Sequence, residues 1–301
     1  MWTITQSMIK SYRSCKWKFY LEYVRMYAPI AFHFPFFMGG ASHVGILNLL
    51  TTKDLDYSLS LAHAYMIEHR KNHEKLQPLS AEEEQEFNYQ VIAVEAIIKG
   101  YAKTKKKFVN SVEVIEKEHK IKKYFSGKKL VSKLDALIVY DDIKYIYELK
   151  TMGKMTLNNV MHYLGQFLFY HNVYSGKNID IFVDMIQKPG IRQGKKESEE
   201  EFIKRLEEYY YEPERYGSEI ITLSPRLQLQ YESELKKVIE EINESFNDIP
   251  ERGFYRDRHA CYIYQPCGFL PLCDNGINPL QIMKYRKKTS RNEELEEGEI
   301  A

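Results

Sequence analysis

The residues best suited to chemistry lie in two short runs, Val131-Ser-Lys-Leu-Asp135 and Tyr145-Ile-Tyr-Glu148-Leu-Lys150. On a strand, residues two apart share a face, so Glu148 and Lys150 point the same way. Asp141-Asp142 reads as a two-residue hairpin loop that pairs Tyr140 with Ile143. That register sets Asp135 opposite Glu148, on one face and about 5 Å apart. Two carboxylates so placed can share a divalent cation, while a neighbouring ammonium orients a water or offsets developing charge. Hard oxygen ligands favour Mg2+, with Mn2+ a close substitute. The chemistry such a group suits is phosphodiester hydrolysis. Glu-x-Lys alone is a weak signal, because it recurs as Glu118/Lys120 and Glu234/Lys236. Only Glu148/Lys150 has an aspartate facing it across a hairpin, with Ile143, Tyr145, Tyr147 and Leu149 on the opposite face.

Three residues follow at four-residue steps, His162, Gln166 and Tyr170, and so share one face of a helix. His162 reads as part of a polar surface. His43 follows Gly39-Gly40, and a lone histidine there is more often a capping or core residue than a ligand. Four cysteines complete the inventory: Cys15 near the start, then Cys261, Cys267 and Cys273 at regular spacing in a Pro/Gly-containing stretch. Four cysteines in a chain of 301 residues do not make a disulfide scaffold. Free thiols, zinc and an iron–sulfur cluster stay open. Zinc sites usually include a close Cys pair, which is missing here, and a cluster tolerates wider spacing.

These residues must be positioned by a mixed set of elements. Periodicity predicts a helix over 5–27, breaks at Pro29 and Pro35, and a second helix opening at Gly39-Gly40 and running through Leu50. A third helix covers 58–73, and the Ser80/Glu83 capping box starts a long one to about Lys107. Strands are expected over 112–124, 130–140, 143–150 and 179–187, with a helix over 156–174. A charged, partly helical stretch spans 194–215, and Ser224-Pro225 starts another amphipathic helix. The whole reads as one integrated α/β domain. Its parts are a mostly helical 1–110, a core at 111–190, C-terminal helices with a Cys-rich segment at 191–285, and a disordered tail at 286–301.

Taken in order, Gly39-Gly40-Ala41-Ser42-His43, Asp135, Glu148-Leu149-Lys150 and Gln166-Phe-Leu-Phe-Tyr170 resemble the RecB-like branch of the PD-(D/E)xK nucleases. The likeness is to Cas4-like, AddB-like and phage-type exonucleases, and it runs over nearly the whole chain. Asp184-Met-Ile-Gln-Lys-Pro-Gly-Ile-Arg192 resembles the strand that follows the motifs in phage-type members. One departure is Ser132, where many members have glycine three positions before the aspartate. The resemblance implies a restriction-endonuclease-like core with a central mixed β-sheet flanked by helices. It implies metal binding by His43, Asp135, Glu148 and the main-chain carbonyl of Leu149, with Mg2+ or Mn2+ as the ion. Lys150 takes the catalytic-lysine role, and Gln166 and Tyr170 support the site or contact DNA. It also implies a 4Fe–4S cluster on Cys15, Cys261, Cys267 and Cys273, stapling the first helix to the C-terminal segment. Cys261 and Cys267 stand farther apart than is common in the family.

Net charge is only +1, which argues at first against nucleic acid. Residues 99–133, however, hold 12 Lys against 3 Glu. This is a phosphate-tracking surface in the functional reading, with Tyr101 and Tyr124 available for stacking on bases. No apolar run reaches membrane-spanning length, and the N-terminus lacks the pattern of a signal peptide, so a cytoplasmic location is expected, and the family resemblance implies a prokaryotic or phage-infected cell. The expected activity is a metal-dependent DNA exonuclease on single strands or ends, in DNA processing or recombination beside a helicase or recombination partner. A catalytically silent DNA-binding or assembly subunit with the same fold is the alternative.

Overall fold

Thr3–Ile4 forms a short strand, β1, and the Thr5 hydroxyl then caps helix α1, Gln6–Ser14. Cys15 is extended and interrupts the helix, which resumes as α2, Lys16–Phe19, and ends in a π-helical turn at Tyr20–Val24. Strand β2 (Tyr27–Pro29) precedes α3 (Phe34–Thr52), α4 (Leu55–Glu74), α5 (Ala81–Thr104) and α6 (Lys106–Ser111). The Ser80/Glu83 capping box is made in both directions at the start of α5. Next come β3 (Glu113–Lys117), β4 (Lys120–Phe125), β5 (Lys128–Lys133), β6 (Ala136–Tyr140) and β7 (Ile143–Met152). Helices α7 (Leu157–Met161) and α8 (Leu164–Val173) lead to β8 (Asp180–Gln187). Helix α9 (Glu199–Tyr210), β9 (Tyr216–Ile221) and the Ser224-capped α10 (Pro225–Ser245) follow. Short helices α11 (Pro250–Gly253), α12 (Leu270–Asn275) and α13 (Pro279–Ile282) end at β10 (Tyr285–Lys287). This structure, a computed structural model, describes residues 3–30, 34–174, 179–262 and 266–295.

Strands β3-β6-β7-β8-β9 form one mixed sheet in that order, in which only β7 and β8 run parallel. A parallel pair needs a crossover, and α7 with α8 supplies it. Alternation along β7 and β8 then separates two cores. Tyr145, Tyr147, Leu149, Phe182 and Ile186 pack with side chains of α3, α4, α5 and α9. Ile146, Ile181, Val183 and Met185 pack with side chains of α1, α8 and α10. The fold is mixed α/β, with a second sheet, β1-β5-β4, and a β2–β10 pair. Among the described residues, no helix is long and apolar enough to cross a membrane.

Several expected elements are corrected. The strands at 112–124 and 130–140 are each divided between two sheets, at Glu118-His119 and at Leu134-Asp135. The breaks lie side by side: Glu118 N donates to Asp135 O at 2.8 Å and Leu134 N to His119 O at 2.9 Å. Lys117 faces Ala136 and Lys120 faces Lys133, so one continuous register changes sheet midway. Helix 5–27 breaks at Cys15, and helix 156–174 pauses at His162-Tyr163. Helix α3 begins at Phe34 rather than at Gly39-Gly40, since a proline in a first turn lacks only an N–H without an intrahelical partner. Gly40 instead serves packing, because a Cβ there would lie 2.2 Å from the Tyr65 hydroxyl oxygen. The tail expected over 286–301 is docked in its first part. Strand β10 pairs with β2, Arg286 holds Glu293 at 2.9 and 2.8 Å, and Arg291 Nε donates to Tyr23 O at 2.8 Å. Residues 296–301 lie outside the described ones.

A wholly buried carboxylate ties β8 to the α5 side. Asp184 accepts from the Tyr101 hydroxyl, from Tyr147 OH at 3.1 Å and from Ser218 Oγ at 3.1 Å, with Lys105 Nζ at 3.6 Å. Asp184→Ala would leave the buried Tyr101 and Tyr147 hydroxyls without their carboxylate acceptor. We expect it to cost about 3–5 kcal/mol of unfolding free energy, read by urea denaturation.

Candidate active site

Asp141 and Asp142 have φ of +49° and +61°, the left-handed pair that a type I′ hairpin requires, and Tyr140 pairs with Ile143. The ladder runs to Ala136 and Tyr147 and stops there, because the chain crosses to the second sheet. Asp135 is left beside an open stretch of β7, where its Oδ2 accepts the Leu149 N–H at 2.8 Å. In a strand the N–H and C=O of one residue point to the same side, so the Leu149 carbonyl faces this opening too. His43, carried by α3, sets Nδ1 3.3 Å from the same Asp135 oxygen. Burial opposes the Asp135 charge. His43, Lys150 and the Leu149 N–H outweigh it and hold the carboxyl below its ordinary pKa.

Glu148 is 1% exposed, yet both its oxygens are occupied. Lys150 Nζ pairs with Oε1, Gln166 Nε2 donates to Oε1 at 2.9 Å, and Tyr170 OH donates to Oε2 at 2.9 Å. Gln166 and Tyr170 stand one turn apart on α8, so one helix face delivers both donors. Burial, then the charge of Asp135, raises the Glu148 pKa, while Lys150 acts against that rise. Burial would lower Lys150, but Glu148 and Asp135 together raise it. Burial and the neighbouring carboxylates push the Tyr170 phenol well up, so it remains a donor. Tyr163, whose ring centre lies 4.6 Å from Lys150 Nζ, belongs to the site although no motif singles it out.

His43, Asp135, Glu148, Leu149, Lys150, Gln166 and Tyr170 are thus brought into one contact network. His162 lines a cavity of about 410 Å3 beside it, together with Gln166 and Tyr170. Tyr101 is a correction, since it is fully buried against Asp184 and has no face to offer a base. Tyr124 is 72% exposed on β4. It shares a face of the β4–β5 hairpin with Lys122 and Lys129, and Val131 and Lys133 on that face line the same cavity.

The four cysteines are all free and line a single second cavity of about 530 Å3. Cys15 reaches it because the chain turns extended there, and Asp257 N donates to Cys15 Sγ at 3.4 Å. Trp17 N donates to Tyr255 O at 3.0 Å, which docks the C-terminal segment on the N-terminal helices. Burial, then the neighbouring cysteines, pushes Cys273 up to about 11 and raises Cys261. Lys10, Lys18, Arg256 and Arg258 also line the cavity. Among the described residues, no three His, Cys, Asp or Glu side chains converge closely enough to hold one metal ion.

No protein-family model matches this chain, and no curated protein matches it. The geometry makes its own prediction. Tyr170→Phe removes a donor to a buried carboxylate and should lower unfolding free energy by about 1.5–3 kcal/mol, read by denaturant titration.

Proposed function

We propose that this protein is a metal-dependent DNA nuclease of the PD-(D/E)xK kind, with a restriction-endonuclease-like core, acting as an exonuclease on single strands or ends. The observation that carries this reading is the meeting of His43, Asp135, Glu148, Lys150, Gln166 and Tyr170 at an open strand edge. His43, Asp135 and Glu148 do not converge on one point in this structure, so these three and the Leu149 carbonyl would hold Mg2+ or Mn2+ only once Glu148 exchanges its present donors. Such an ion polarises the phosphate and acidifies a bound water. The chain's own residues prepare the rest. The Leu149 N–H fixes Asp135, while Gln166 and Tyr170 donate to the buried Glu148 carboxyl. Lys150, paired with Glu148 Oε1, would supply the positive charge that orients water or offsets phosphate charge.

The second cavity would hold a 4Fe–4S cluster: the four cysteines all line it, and four thiolates are the ligand number such a cluster takes. Its role is a staple between Cys15 and the C-terminal segment. DNA would approach over the Lys122, Tyr124 and Lys129 face of the hairpin, towards the cavity beside Gln166 and Tyr170. A helicase or recombination partner that frees single strands would supply the substrate. The saturation of both Glu148 oxygens favours a second reading, a catalytically silent DNA-binding subunit.

The test is incubation with end-labelled and circular single-stranded DNA in Mg2+, Mn2+ or EDTA. End-dependent, metal-dependent degradation is expected, and Asp135→Asn should reduce it at least ~100-fold. Metal-independent binding with no cleavage in any condition would support the silent subunit instead. Anaerobically purified protein should be brown, with broad absorbance near about 400 nm and about four irons per chain. Colourless protein with stoichiometric zinc would sink the cluster.

A further inference from the structure

Helix α1 presents Gln6, Lys10 and Arg13 at four- and three-residue steps, and these three line the 410 Å3 cavity that Gln166 and Tyr170 also line. The cations of this cavity differ in what they already hold. Arg13 faces Glu234 at 3.4 Å, and Lys133 is bound to Glu118 at 2.9 Å. Lys10 has no carboxylate partner among the described residues. Burial, then the charges of Lys18 and Lys150, lowers its pKa below the ordinary lysine value. Lys10 also lines the cysteine cavity, and so stands between the two spaces. The described lining of the 410 Å3 cavity holds Lys10, Arg13 and Lys133 and no carboxylate, so an ammonium without a carboxylate partner there is a place where an anion gains.

We infer that Lys10 is a substrate-binding residue, holding the phosphate next to the scissile one of a single DNA strand seated in the cavity between α1 and α8. This rests on the nuclease reading. The site follows from direction as well as charge. The hairpin face carrying Lys122, Tyr124 and Lys129 continues through Val131 and Lys133 into this cavity, which Lys10 lines together with Gln166 and Tyr170, and these two touch Glu148. A strand that reaches Glu148 through this cavity would pass Lys10. The free anion it meets there is its own phosphodiester.

The test compares wild-type protein with Lys10→Ala and Lys10→Arg on a fluorescein-labelled oligothymidylate. Affinity is measured in EDTA across a salt series, and cleavage in Mn2+. For Lys10→Ala the dissociation constant should rise about tenfold, and the slope of log K against log salt should fall by about 0.7. KM should rise in step while kcat stays within about twofold, because a contact made equally in ground and transition states is lost. Lys10→Arg should restore the affinity and the slope. Wild-type protein that binds and cleaves, with Lys10→Ala indistinguishable from it, would overturn this inference and leave the nuclease reading standing. A fall in kcat at unchanged KM and slope would also overturn it. Wild-type protein that neither binds nor cleaves the oligonucleotide would overturn both.

Discussion

A carboxylate taken out of water must find donors or surrender its charge, and Glu148 is where this chain meets that constraint. Its solution uses three residues from two elements: Lys150 two positions on along the strand, and Gln166 and Tyr170 from α8. Neither supplier is free to move elsewhere. Lys150 shares the face of Glu148 because strand period is two, and α8 lies over that face because β7 and β8 run parallel and need a crossover above them. The apolar side chains of the same helix, Phe167 and Phe169, are fully buried, so the donors are anchored by core packing rather than by the bonds they make. The site is thus a consequence of the sheet's topology.

The second constraint is the hairpin that changes sheet. If β5 and β6 were one strand, Asp135 would sit in a ladder and its neighbour on β7 would be covered. The break at Leu134-Asp135 ends the β6–β7 ladder at Tyr147 and leaves the Leu149 N–H to be taken by the Asp135 side chain. One event therefore exposes a strand edge and fixes the carboxylate next to it. On the opposite face, Tyr147 joins Tyr101 and Ser218 around Asp184, so β7 is held from both sides at neighbouring residues.

How much of this can be read from sequence depends on the range of the cause. The Asp141-Asp142 turn, the face shared by Glu148 and Lys150, and the Ser80/Glu83 cap are local, and each stands as its residues dictate. The sheet change is invisible because register continues across it: Lys117 faces Ala136 just as Lys120 faces Lys133. The break at Cys15 is equally hidden, since Trp17 and Phe19 keep an apolar periodicity that tertiary contacts with Tyr255 and Phe254 override. Strand β9 carries Gly217, Ser218 and Glu219 at its centre, and only pairing with β8 makes it a strand. Tyr101 shows the same limit, because its place in a lysine-rich run says nothing of the carboxylate that buries it.

Charge makes the final point about local and spatial order. The lysines of 99–133 look like one surface, yet Lys99 is held by Glu95 and Glu207, Lys105 by Asp184 and Ser218, Lys117 by Asn48 and Lys133 by Glu118. Four of the twelve are thus tied into the fold, while Lys122 and Lys129 share the hairpin face of Tyr124. The cation with least to hold near Glu148 comes from α1, far off in sequence, and a count over a segment cannot find it. What an anion encounters is set by which ammonium groups lack a partner, and packing alone decides that.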